Sequence, residues 1–287
     1  MDIFAETGPG QLPALLSGSL SMSTLRLETV QLTRSERVAR IVMNRPETLN
    51  AWTTQVGEEL SQALAETARD PEVRAIVVTG AGRAFSAGAD LKAGFETTAD
   101  GAPDVRSPLR EVYHPLMMQM RTIPKPVIAA VNGPAVGIGC SLAMCSDLIV
   151  AARSAYFLLA FVNIGLGLDG GASQSLVARA GSARAFEIAY LGERVGAEQA
   201  LAWNMVNEVV DDDQLEARAA ELATRLAAGP PGSYATIKRT INDRAYAGFE
   251  QLLDLEADQQ QQRAESNDFR EGVLAFIQKR QANFDGS

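Results

Sequence analysis

Histidine and cysteine are nearly missing from this chain: one histidine, His114, and two cysteines, Cys140 and Cys145, in 287 residues. Both cysteines sit in one apolar segment, which fits buried reduced thiols rather than the disulfide framework of a small secreted domain. No His/Cys/Asp spacing suggests a metal site, and Ser86, Ser141 and the cysteines show no triad-like partners. Long apolar runs are also absent, none reaching the roughly 20 residues of a membrane span. Positive charge is in deficit, with a net charge of −9, which argues against a nucleic-acid or anionic-membrane surface. Neither G-x-G-x-x-G opening a helix nor a Walker G-x-x-x-x-G-K-[ST] occurs.

What is present is an ordinary apolar fraction, 46%, and 24 glycines, a composition suited to a loop-rich α/β enzyme with a sizeable core. Residues 1–23 mix Gly, Pro and Ser with short Leu patches and carry Asp2 and Glu6 where a signal peptide has basic residues. They read as a mobile or partner-packed extension, with Met22 an alternative start and a cytoplasmic location by default. Leu25–Leu32 and Val38–Met43 alternate as a hairpin around Thr33–Arg37. Thr53–Arg69 has helical spacing, and Ala75–Thr79 reads as a strand. Asp100–Ser107 is a polar loop and Pro108–Arg121 a helix, stopped by Pro124-Lys-Pro126 before the strand Pro126–Val131. A short helix Ile138–Cys145, a strand Asp147–Ala151, helices Leu176–Ala180 and Ala183–Leu191, and a strand Val206–Val210 follow. Beyond Asp211 the period is helical throughout: Leu215–Ala228, Tyr234–Ala245, Phe249–Glu265 and Phe269–Gln281. Strand–turn–helix units over 24–210 followed by a helical region over 211–287 imply a parallel-sheet core with a helical appendage. Periodicity alone leaves a spiral and a doubly wound sheet both open.

Two loops carry the chemistry. Arg83-Ala-Phe-Ser-Ala-Gly-Ala-Asp-Leu-Lys92 follows Ala75–Thr79, and Asn132-Gly-Pro-Ala-Val-Gly-Ile-Gly-Cys140 follows Pro126–Val131. Turns so poor in side chains let bare N–H groups approach a ligand, and two convergent donors are what a carbonyl oxygen becoming an oxyanion needs. The pair resembles the enoyl-CoA hydratase/isomerase (crotonase) superfamily from about Thr24 to Phe284. The resemblance implies an α/β fold, a spiral of ββα units with a C-terminal helical trimerisation region. It also implies an acyl-CoA thioester as substrate and no metal or redox cofactor. The oxyanion donors it implies are the amides of Ala89 and Ile138, the latter opening a helix whose dipole adds to the hole. Leu49, Ala87, Gly88, Leu91 and Gly137 would line the thioester. Asp90 reads as a loop-bracing carboxylate, and Lys92 either lies along the coenzyme phosphates or stands in solvent.

Hydratases of this family hold water between two glutamates. Carried over residue by residue, those positions are Ser141 and Phe161, neither able to take up a proton near neutral pH. Asp169, directly before Gly-Gly-Ala, offers a replacement. It matches an aspartate in members resembling dienoyl-CoA isomerase, the epoxide and double-bond isomerases of phenylacetate breakdown, and 4-chlorobenzoyl-CoA dehalogenase. A carboxylate there returns a proton to a different carbon while the hole holds the enolate. Apolar Phe161, Leu166 and Leu168 would raise its pKa by desolvation. Its alternative reading is a helix N-cap. His114 reads as a structural residue, or as the water-activating partner of Asp169 in dehalogenase-like chemistry. Hydration with Asp169 in place of a glutamate, and a catalytically weak CoA-binding member, stay open beside double-bond isomerisation.

The segment Glu271–Phe284 resembles the family's last helix, where Phe and Lys three apart meet the coenzyme A bound by a neighbouring subunit. Phe276 and Lys279 hold those places on one helix face. A homotrimer, or a hexamer of two trimers, is the implied assembly. The run Glu256–Gln262 reads as an exposed helix face.

Overall fold

The computed structural model describes residues 23–287; residues 1–22 of the expected extension lie outside the described residues. The first strands are β1 (Ser23–Arg26), β2 (Val30–Ser35) and β3 (Val38–Met43), a meander of antiparallel pairs. Glu36 and Arg37 turn the second hairpin at φ 49° and 67°, the left-handed pair that matches strand twist in a two-residue turn. The strand expected over Leu25–Leu32 is split. The Leu27 amide closes a turn on the Val30 carbonyl, and the Glu59 carboxylate takes the Thr29 and Val30 amides at 2.7 and 3.1 Å.

Helix α1 (Thr54–Arg69) starts at Thr53, whose side chain accepts the Val56 amide, and buries Val56, Leu60, Ala63 and Leu64. Strand β4 (Ala75–Gly80) then adds parallel to β3. The helix expected over Pro108–Arg121 consists of α2 (Arg106–Pro108), a π-helical turn Leu109–Tyr113, and α3 (His114–Thr122). After it come β5 (Val127–Val131), β6 (Ala135–Val136), α4 (Ile138–Met144), β7 (Leu148–Ala152) and β8 (Tyr156–Leu158). Helix α5 (Ala172–Leu191) joins the two expected helical pieces across a break at Gly181 (φ 77°, ψ 164°). Then follow β9 (Val195–Gly196), α6 (Ala197–Ala202), β10 (Glu208–Val210), α7 (Leu215–Ala227), α8 (Pro231–Ala245), α9 (Phe249–Ala264) and α10 (Asn267–Gln278).

The large sheet has the order β1-β2-β3-β4-β5-β7-β10, parallel from β3 onward, beside a small sheet β6-β8-β9. Strand order climbs without reversing, whereas a doubly wound sheet reverses at a switch point. The spiral reading therefore holds. The boundary at residue 210 does not. Leu215, Ala219, Ala223 and Ala227 of α7, and Phe249 and Leu253 of α9, belong to the same buried core as the sheet. Helices α7 and α9 complete the core because each presents buried residues at helical spacing to it.

Candidate active site

The two Ala/Gly loops run side by side. Ser86 donates its amide to Pro134 and receives that of Val136, both at 2.9 Å, forming a parallel bridge between Ser86 and Ala135. Ala89 lies three residues beyond Ser86 and Ile138 three beyond Ala135, so the two amides stand at matching positions past one bridge. Gly88 and Gly137 make this approach possible. Gly88 has φ +86°, and a Cβ there would lie 2.9 Å from the Val136 carbonyl oxygen; Gly137 has φ +51° and faces the Gly88 Cα. The neighbouring amides are engaged: Ala87 with Leu49 O, Gly88 with Ser86 Oγ, Asp90 with Trp52 O, and Gly137 with Leu158 O. Among the described residues no protein acceptor takes the Ala89 or Ile138 amide. Ile138 opens α4, as the spacing suggested.

Beneath the first loop lies a polar scaffold that sequence reasoning missed. Asn50 is buried and donates to the Ala81 and Ala84 carbonyls, while Ser86 Oγ donates to Asn50 O. Arg45 donates to Ala51 O at 2.6 Å and pairs with Asp90 at 3.3 Å. Asp90 is thus a brace. Leu49, at φ 56°, shapes the facing turn. Leu91 is half-buried and Lys92 exposed.

Asp169 packs against the second loop. Ser141, fully buried, donates its hydroxyl to the Asp169 carbonyl at 2.9 Å and approaches the Gly137 carbonyl at 3.3 Å. Gly170 abuts Ile138 Cδ1 and Ser141 Cβ. Phe161, also buried, sets its ring against Gly137. Asp169 Oδ2 accepts from Gln260 Nε2 at 3.0 Å, whereas Oδ1 is buried with no partner. Burial, then the Glu256 carboxylate, pushes the Asp169 carboxyl from 3.8 to about 7, against the hydrogen bond from Gln260.

Asp169 does not cap α5. Glu256 does: its carboxylate accepts from the Gly171 amide at 2.7 Å, the Ser173 amide at 3.2 Å and the Ser173 hydroxyl at 2.5 Å. Burial nonetheless leaves the Glu256 pKa raised. The expectation of an exposed face over Glu256–Gln262 is overturned, because Glu256, Gln260 and Gln261 are all buried. Their spacing held the clue. Phe249, Leu253, Glu256, Ala257, Gln260 and Ala264 form one buried stripe at i, i+3, i+4.

His114 faces other charges than those dehalogenase-like chemistry requires. Burial pushes its imidazole down to about 4, with Asp254 opposing and Arg110 assisting, and Nε2 is buried without a partner. Its neighbour Tyr113 is the residue in the field of Asp169. Burial, then the Asp169 and Glu58 charges, pushes that phenol up to about 12. Tyr113 closes the π-helical turn, and Trp52 packs edge-on against its ring at 5.3 Å. Phe276 is 57% exposed on α10. Lys279 falls just past the helix, at φ 53°, rather than on the same helical face, because α10 ends at Gln278.

An enzyme of acyl-CoA chemistry is the class this spiral and these paired turns define. The chain belongs to the enoyl-CoA hydratase/isomerase family, whose sequence profile matches residues 33–287. It is 41% identical over 249 residues to 1,2-epoxyphenylacetyl-CoA isomerase of Escherichia coli, covering 87% of this chain and 95% of that one. It is also 41% identical over 267 residues to a probable enoyl-CoA hydratase of Rhodobacter capsulatus, covering 93% and 100%. The crystal structure of an enoyl-CoA hydratase from Mycobacterium avium subsp. paratuberculosis superposes with a TM-score of 0.82 at 36% identity, covering 90% of this chain and 99% of that one.

Proposed function

We propose that this chain is an enoyl-CoA isomerase that shifts a double bond through an enolate. The observation that carries this reading is Asp169: a buried carboxyl beside the Ile138 turn, one oxygen held and the other free. A pKa of about 7 suits a group that both takes and returns a proton at neutral pH. The thioester oxygen would lie between the Ala89 and Ile138 amides, where charge develops as the proton leaves carbon. Asp169 would then return that proton to a different carbon, and the residues of the chain and the thioester suffice for the whole exchange. Ser141 and Phe161, at the two glutamate positions of the water-adding members, offer no carboxylates to activate water. Apolar side chains exposed on α5, α8 and α10, among them Phe186, Tyr190, Ile237, Ile241 and Ile277, support packing into a homotrimer or a hexamer of two trimers. Phe276 and Lys279 would then meet coenzyme A bound by a neighbouring subunit. Two buried free thiols, Cys140 and Cys145, suit a reducing cytoplasm. Among the described residues no helix is long and apolar enough to cross a membrane.

Assays of 3-enoyl-, 2-enoyl- and ring-type acyl-CoA with wild type and Asp169→Asn test this. Isomerisation is expected to dominate and to fall on the order of 10³-fold in the variant. Water addition that Asp169→Asn leaves unchanged would defeat the reading, as would thioester binding without turnover.

A further inference from the structure

Helix α9 reaches Asp169 from 91 residues further along the chain. We propose that Gln260 is a positioning residue that locks the Asp169 carboxyl so that Oδ1 alone carries the transferred proton. This rests on Asp169 being the base.

The Gln260 amide has only one orientation available. Its Oε1 accepts from the Gly167 backbone N–H at 2.8 Å, and a backbone N–H can only donate. The NH2 end therefore faces Asp169 and donates to Oδ2 at 3.0 Å. Because that NH2 has no acceptor capacity, Oδ2 accepts along this line in both protonation states. Gln260 is 1% exposed, so water does not compete for the bond. Oδ1, buried and unpartnered, is the oxygen left to exchange a proton.

The chemistry balances on this one atom. A substrate C–H bond breaks, its proton passes to Oδ1, and its electron pair enters the thioester as an enolate. The Oδ1–H bond then breaks toward a different carbon, the enolate pair forms the new C–H bond, and the carboxylate is restored. Nothing else is consumed. One turn earlier on α9, Glu256 holds the Gly171 amide at 2.7 Å, so the helix grips the loop on both sides of Asp169.

The ionisable groups facing this carboxyl are Glu256 from α9 and Tyr113 from the π-helical turn. Cys145, at the end of α4, touches the adjoining Gly170 carbonyl, and Ser173, in the first turn of α5, donates its hydroxyl to Glu256.

Infrared titration of the full chain, as the difference between each protein and its Asp169→Asn counterpart, isolates the carboxyl band of Asp169. Gln260→Met is expected to move its midpoint to higher pH, because a donated hydrogen bond is lost. Glu256→Gln is expected to move it to lower pH, because a like charge is lost. With the isomerised thioester, Gln260→Met should lower kcat on the order of 10²-fold with KM within about twofold. Where Gln260→Met does not fold, Gln260→Leu removes the donor without adding a charge and carries the same expectations. A folded variant with lower Tm but unchanged midpoint and kcat would show Gln260 to be packing only, and would overturn the proposal. Wild-type turnover by Asp169→Asn would instead overturn the base assignment, and the infrared midpoints would still report whether Gln260 holds the carboxyl.

Discussion

Around Ala89 and Ile138 the site is made of backbone, and its supports come from adjoining strand ends and the turn at Leu49–Trp52. Around Asp169 it is made of side chains, supplied largely by a helix near the far end of the chain. The backbone half needs only the right turns, because an N–H carries no protonation state to tune. The carboxylate half needs burial, a neighbouring charge and a directed donor, since its task depends on a pKa. One half is a matter of shape, the other of electrostatics, and they should break differently.

Asp169→Asn sharpens that contrast most. The loss of activity expected above should come with a gain in stability. The folded state keeps the Asp169 proton between pH 3.8 and about 7, where the unfolded chain has released it. Folding stability therefore falls as pH rises through that window and stays reduced above it. The difference corresponds to about 4 kcal/mol at most above pH 8. Urea unfolding at pH 5 and pH 8.5 should show Asp169→Asn the more stable at the higher pH, with the gap closing at the lower one. The kcat/KM of wild type should rise with pH to a plateau above about 7. A variant less stable than wild type at pH 8.5 would mean the carboxylate is well solvated or well paired.

Gly88→Ala attacks the other half. With φ +86° and a Cβ 2.9 Å from the Val136 oxygen, the alanine forces the two turns apart. A fall in kcat/KM of about 10²–10³-fold is expected, accompanied by a destabilisation of roughly 1–3 kcal/mol. The midpoint of the pH profile should stay in place, because no group near Asp169 has changed. A moved midpoint would show that the halves share their electrostatics after all.

The same contrast decides what could be read from the sequence. Arg83–Lys92 and Asn132–Cys140 were legible because a β-branched run feeding an Ala/Gly turn is a local pattern with a local consequence. Strands β3, β4, β5, β7 and β10 of the large sheet were legible for the same reason, while β1 and β2 read as one run, and the family resemblance supplied the choice of a spiral that periodicity left open. The small sheet escaped because strands of two or three residues, such as Ala135–Val136 and Val195–Gly196, show no period. Gln260 escaped because its partner lies 91 residues away and a glutamine run reads as solvated. Asn50 and Ser86 escaped because buried polar scaffolds follow from tertiary contacts. The π-helical turn Leu109–Tyr113 inside the expected helix also escaped, because no residue in it announces one.

Ser141 hydrogen-bonds to both halves, and its removal is the finest test. Its hydroxyl donates to the Asp169 carbonyl at 2.9 Å and approaches the Gly137 carbonyl at 3.3 Å. In Ser141→Ala neither acceptor is abandoned. The Asp169 carbonyl keeps the Ala172 amide at 3.2 Å, and the Gly137 carbonyl keeps the Ser141 amide at 3.0 Å. The loss should therefore be that of an ordinary hydrogen bond, about 1 kcal/mol in thermal or urea unfolding. Because the Oδ2 tether to Gln260 survives, the drop in kcat should be no more than about tenfold. A loss on the scale of Gly88→Ala would mean that the hydroxyl, and not α9, sets the distance between the amides and the carboxyl.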